Sequence, residues 1–102
     1  MSIKKQYLKS KPVCKVTSKV EGEQAGGVTK MSVVGDFNQW NENTHELKAL
    51  KDGSFTITVD LETGREYQFR YLADGQKWLN ESEADAFIPS GFGDAQNAVI
   101  RL

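Results

Sequence analysis

Trp40, Arg70 and Trp78 are the residues of this chain whose types suit a recognisable chemistry. The faces of a hexose ring present C–H groups that pack on aromatic planes, and its hydroxyls need fixed donors and acceptors such as Arg, Asn, Gln and Asp supply. Trp40 stands among Asn38, Gln39, Asn41 and Glu42, so its indole is expected to be partly solvated, whereas Phe37, with no polar handle, is expected to plug the core. A base would stack on the same rings, but an oligonucleotide needs a charged track for its backbone, and here only Arg70 and Lys77 are at hand. The plainer readings are that Trp40 caps the edge of the core, where most tryptophans lie, and that Arg70 is an ordinary surface charge.

Catalytic chemistry finds no comparable set. A glycosidase needs two carboxylates facing each other across a cleft, about 5 to 10 Å apart. Fourteen acids make chance pairs inevitable, but a domain of two packed sheets and this size offers no evident cleft in which one pKa could be raised. Glu81, Glu83 and Asp85 read as a solvated loop. His45 is the sole histidine and Cys14 the sole cysteine, which leaves no intrachain disulfide, no Cys/His pair and no zinc ligand set. Cys14 alternates with Val16 and reads as a small buried hydrophobe. Gly91-Phe92-Gly93 lacks a third glycine and a following helix, so it is not a phosphate cradle. The expectation is a non-catalytic protein with no metal and no cofactor.

The chain has 102 residues, 13 basic and 14 acidic side chains and a net charge of −1. That length suits one domain with a single modest core, and the balance of charge favours neither nucleic acid nor an anionic membrane. Six lysines precede the first acid, Glu21, and residues 1–11 read as a basic N-terminal tail, solvated or disordered, before a domain over 12–102. No apolar run is long enough to span a bilayer and no signal-peptide stretch opens the sequence, so the expected location is the cytoplasm. The glycosylation tripeptide Asn80-Glu81-Ser82 is idle in that setting.

The elements that must position the aromatic residues are strands. Apolar residues recur at period two, and turn dipeptides break the chain at short intervals. Cys14, Val16 and Val20 share one face of a strand, Met31 and Val33 one face of the next, and Phe55, Ile57 and Val59 alternate with Thr56, Thr58 and Asp60. Asp52-Gly53 and Asp74-Gly75 are two-residue hairpin signals of type I′, in which both central residues take positive φ. Tyr67, Phe69 and Tyr71 fill the core, which forces Arg70 onto the opposite face, with Trp78 just across the second hairpin. The segment 80–95 reads as irregular, and 97–102 as a closing strand.

These motifs in order resemble a known family. Val34-Gly35-Asp36-Phe37-Asn38-Gln39-Trp40, Asp52-Gly53-Ser54-Phe55, Gly64-Arg65-Glu66-Tyr67-Gln68-Phe69-Arg70-Tyr71, Asp74-Gly75-Gln76-Lys77-Trp78 and Gly91-Phe92-Gly93 with Asn97 are similar to the isoamylase N-terminal, or early-set, domain. This is carbohydrate-binding module family 48, which includes the glycogen-binding domain of the AMP-activated kinase β subunit. The resemblance runs from about Pro12 to Leu102 and implies an all-β, immunoglobulin-like sandwich of two antiparallel sheets with about seven strands. It implies an α-1,4-glucan ligand such as glycogen or maltooligosaccharide, stacked on Trp40 and Trp78 with Arg70 between them. Phe92 matches the apolar residue that supports the glucan, and Asp94 and Gln96 stand where the kinase domain carries Thr and Asn. Asp brings a charge and no donor, whereas Gln keeps an amide one methylene further out. Asn97 is expected to pin its own loop.

A second expectation belongs to the same family. Early-set domains attached to branching and debranching enzymes of glycoside hydrolase family 13, or to kinase scaffolds, often serve as spacers or docking modules, so a partner protein could replace sugar as the ligand.

Overall fold

The computed structural model describes residues 1–90 and 95–102, apart from the side chains of Gln24 and Ala25. About half of the described chain is strand, with almost no helix. β1 (Ser2–Tyr7), β2 (Val13–Val20), β5 (Phe55–Glu62) and β4 (Lys48–Ala49) form one antiparallel sheet in the order β1-β2-β5-β4. The second sheet takes β3 (Met31–Gly35), β6 (Glu66–Ala73), β9 (Gln96–Arg101) and β8 (Ala86–Pro89) in that order, with β7 (Lys77–Leu79) also paired to β6. The orders β1-β2-β5-β4 and β3-β6-β9 reproduce the ABED and CFG sheets of an immunoglobulin constant-type sandwich. A single helical turn, Gly22–Ala25, and a 3₁₀ turn, Asp36–Asn38, complete the described elements.

Alternation along the strands builds the core. Cys14, Val16 and Val20 from β2, Phe55 and Leu61 from β5, and Tyr67, Phe69 and Tyr71 from β6 are all buried between the sheets. Each large apolar side chain so buried contributes roughly 1.5–3 kcal/mol. Phe37 packs against this core from its edge, half-buried, with its ring edge-on to those of His45 and Tyr67. The Tyr67 hydroxyl, at the start of β6, donates to the carbonyl of Glu62 at 2.9 Å. This is the tyrosine corner that braces the E–F connection of such sandwiches. Tyr67→Phe is expected to cost about 1 kcal/mol in urea unfolding, the worth of one hydrogen bond.

Five local expectations are corrected. Residues 2–7, expected in a basic tail, form edge strand β1 in full register with β2. Ile3 packs on the core, and Lys5 Nζ bridges to Asp85 Oδ2 at 2.7 Å and to the Arg101 carbonyl at 3.0 Å. The lysines of β1 suit a sheet edge, since charge there discourages pairing with other chains. Asp52-Gly53 is not a two-residue turn. Gly53 N–H bonds back to the Leu50 carbonyl and only Gly53 has positive φ, the signature of a three-residue loop closing on glycine. Asp74-Gly75 has the positive φ of a type I′ turn, 52° and 70°, and the Gln76 N–H bonds to the Ala73 carbonyl, but Ala73 pairs with Lys77, so this loop also spans three residues rather than two. The segment 80–95 contains β8, which pairs with β9.

The last correction concerns Glu81, which is fully buried rather than solvated. Its Oε1 accepts from the Tyr71 hydroxyl at 2.8 Å and its Oε2 from the Glu83 N–H at 2.9 Å. Ser18 of the opposite sheet is buried as well. Burial, reinforced by the charge of Glu81, pushes the Tyr71 phenol well above its usual range.

Three aspartates are held below the ordinary carboxylate range. For Asp52 the chief cause is the Ser54 hydroxyl, and for Asp74 the Thr29 hydroxyl. For Asp85 partial burial works the other way, but the Arg101 N–H and Lys5 outweigh it. A carboxylate with a depressed folded-state pKa stabilises the fold above its unfolded value and loses that contribution as pH falls through the folded one. The melting temperature is therefore expected to decline as pH drops below about 4. Asp74→Asn should flatten part of that decline, and a melt series from pH 7 to pH 2 checks it.

Candidate functional site

The outer face of the second sheet carries the candidate site, and β6 supplies its floor. Because Tyr67, Phe69 and Tyr71 point into the core, Gln68 and Arg70 point out. β7 returns antiparallel across the Asp74-Gly75 turn, with Trp78 opposite Leu72, and this brings the second indole beside Arg70. The Arg70 guanidinium lies over the Trp78 ring, 5.4 Å from its centroid, a cation–π contact. Arg70 Nε is buried with no hydrogen-bond partner among the described residues. Stacking on the indole is thus the contact that holds this cation. Trp78 itself remains 38% exposed.

Trp40 arrives from the other side. β3 ends at Gly35 against Phe69 of β6, and the chain then turns through Asp36–Asn38. Gly35 is required there for space. Its backbone is extended, but a Cβ would meet the Gln68 carbonyl oxygen and lie 2.7 Å from the Phe69 Cβ. Asn38 is buried and ties the turn together. Its Oδ1 accepts from Gly35 N–H at 3.0 Å, while its Nδ2 donates to the Val33 carbonyl at 3.0 Å and lies 2.9 Å from His45 Nδ1. Gln39 and Trp40 both sit in the left-handed region, at φ 53° and 58°, where a side chain costs about 1–2 kcal/mol per residue. The Trp40 N–H bonds to the Gly35 carbonyl at 2.9 Å, which helps to hold this strained pair.

Trp40, Arg70 and Trp78 therefore line one groove, of about 570 Å³. Gln68, Asp36, Asn97 and Ser90 complete its described lining. Asn97 Nδ2 donates to Gln68 Oε1 at 3.1 Å, so it braces the floor of the groove. Asp36 is the one carboxylate among the described lining residues. Its Oδ1 accepts from the Trp40 indole N–H at 3.0 Å and its Oδ2 from the Gln68 backbone N–H at 2.9 Å.

The loop contacts fare differently. Phe92 and Asp94 lie outside the described residues. Gln96 is exposed at the start of β9 and does not line the groove, since alternation sets it on the side of Ala98 and Ile100. Its carbonyl accepts from Asn80 Nδ2 at 2.8 Å. Asn97, one position on, takes the groove face. Gln68 could have been found in the sequence, being two residues before Arg70 on the same strand. Asp36 gave a weaker signal, because an aspartate in a turn ordinarily caps its own backbone.

Among the described residues no group of three or more His, Cys, Asp or Glu could hold a metal, and no helix is long and apolar enough to cross a membrane. Residues 20–99 match the sequence model of a family described as the glycogen recognition site of AMP-activated protein kinase. The chain is 45% identical over 38 residues to a 1,4-alpha-glucan-branching enzyme of Debaryomyces hansenii, a match covering 36% of this chain and 5% of the enzyme. It is 37% identical over 46 residues to a 1,4-alpha-glucan branching enzyme of Photobacterium profundum, covering 44% of this chain and 6% of the enzyme. The matches thus span only a small fraction of those enzymes' length.

Proposed function

Because the chain belongs to the family of the glycogen recognition site of AMP-activated protein kinase, we propose that it is a non-catalytic module that binds an α-1,4-glucan such as glycogen or maltodextrin. Sugar rings stack on Trp40 and Trp78, and Arg70 donates to hydroxyls between them. The observation that carries this reading is the convergence in one groove of two indoles and a guanidinium that has no carboxylate partner among the described residues. The enzymes to which the chain is similar act on α-glucan by name, which supports the same ligand class. Hydrolysis is disfavoured by the single described carboxylate of the groove, because glycosidases work with two and both oxygens of Asp36 are already hydrogen-bonded.

A groove that encloses little of its ligand binds modestly, at roughly micromolar to millimolar Kd. Electrophoresis through native gels cast with and without glycogen tests the proposal. The protein should be retarded by glycogen and unaffected by dextran. Unchanged mobility in glycogen would set the sugar reading aside in favour of a surface that docks another protein.

A further inference from the structure

The carboxylate of Asp36 divides its two oxygens between separate elements. Oδ2 takes the Gln68 N–H of β6, one residue beyond the last β3–β6 pair, Gly35 with Phe69. Where the β3 backbone has turned away, a side chain thus continues the ladder. Oδ1 takes the indole N–H of Trp40, four residues on. The indole has only one donor, and this bond uses it. Trp40 therefore offers a ligand its ring face and no hydrogen bond from Nε1.

We propose that Asp36 is the positioning residue of the groove: it fixes the plane of the Trp40 ring relative to β6, so that the ring is set for stacking before any ligand arrives. The consequence for affinity rests on the glucan reading above, whereas the orientation of the ring does not. Trp40 especially needs such a restraint, because it stands on a turn with two consecutive non-glycine residues at positive φ. A ring free to rotate about its side-chain bonds would lose that freedom on binding and weaken the complex. Polar selection of the ligand then falls to Arg70, Gln68 and Asn97.

Two readouts test this in the intact chain. The first needs no sugar: exchange of the Trp40 indole proton with D₂O, followed by NMR, should be at least about tenfold faster in Asp36→Ala than in the wild type. An unchanged rate overturns the proposal. The second is a double-variant cycle with maltoheptaose. Asp36→Ala should weaken binding about fivefold or more, but should add less than about twofold in a Trp40→Phe background, where no indole N–H remains to be held. An equal loss in both backgrounds would mean that Asp36 acts on the sugar directly, and overturns it. Should Asp36→Ala not fold, Asp36→Asn, which keeps one oxygen, should give an intermediate exchange rate, and a wild-type rate again overturns the proposal. A wild type that binds no maltoheptaose removes the glucan reading but leaves the exchange experiment decisive for the role of Asp36.

Discussion

Trp78→Ala is expected to weaken maltoheptaose binding by at least about tenfold, Trp40→Ala by a similar factor, and the two together to abolish saturable binding at millimolar sugar. Covering roughly 50 Å² of one indole face is worth about 1.3 kcal/mol at 25 cal/mol per Å², close to one factor of ten. Trp78 is expected to contribute twice, because its ring also carries the Arg70 guanidinium. Without the indole, that side chain loses its platform and regains rotamer freedom that binding must then remove. Neither replacement should unfold the domain. Trp78 is exposed and Trp40 stands outside the core cluster. Calorimetric titration beside a thermal melt separates the two effects, and wild-type affinity in both single variants would reject the pair as the stacking residues.

Gly35→Val should produce the largest loss of stability, about 3 to 4 kcal/mol in urea unfolding. Conformational freedom is not the reason, since the backbone there is extended with φ −171°. The reason is space: the new side chain would strike the Gln68 carbonyl oxygen and the Phe69 Cβ of β6. Both belong to a central strand that cannot retreat without opening the sheet. Gly35→Ala should fail for the same cause, somewhat less severely. A loss under about 1 kcal/mol would show that β3 and β6 part locally at little cost. The same displacement would carry Asp36 and Trp40 away from β6, so sugar binding should fall together with stability.

Much of this architecture follows from period-two patterning. Arg70 was legible because three aromatic residues at alternate positions leave it one face to occupy, and Trp78 because the Asp74-Gly75 turn fixes the distance back along the return strand. Both Asp-Gly dipeptides close three-residue loops, because Leu50 meets Ser54 across the first and Ala73 meets Lys77 across the second, not the residues flanking the dipeptide. β1 is not legible in the sequence because lysine-rich edge strands resemble tails. Only the pairing of Ile3 and Lys5 with β2 and the bridge to Asp85 reveal the difference. The burial of Glu81 is hidden from the sequence for a related reason. A carboxylate in a polar segment reads as solvated unless the donors that reach it are known, and Tyr71, ten residues away, is a donor that spacing does not announce. Asp36 is the same case at the site itself, since its partners Trp40 and Gln68 come together only when the turn folds over β6.

Glucan binding on the β6 face is the central claim, and titration of ¹⁵N-labelled protein with maltoheptaose and β-cyclodextrin tests it most directly. The two indole N–H signals of Trp40 and Trp78 should shift saturably with one common Kd, accompanied by the backbone amides of Gln68 and Arg70, while those of β1 and β2 stay still. Indole and β6 signals that remain in place at millimolar sugar would contradict the account.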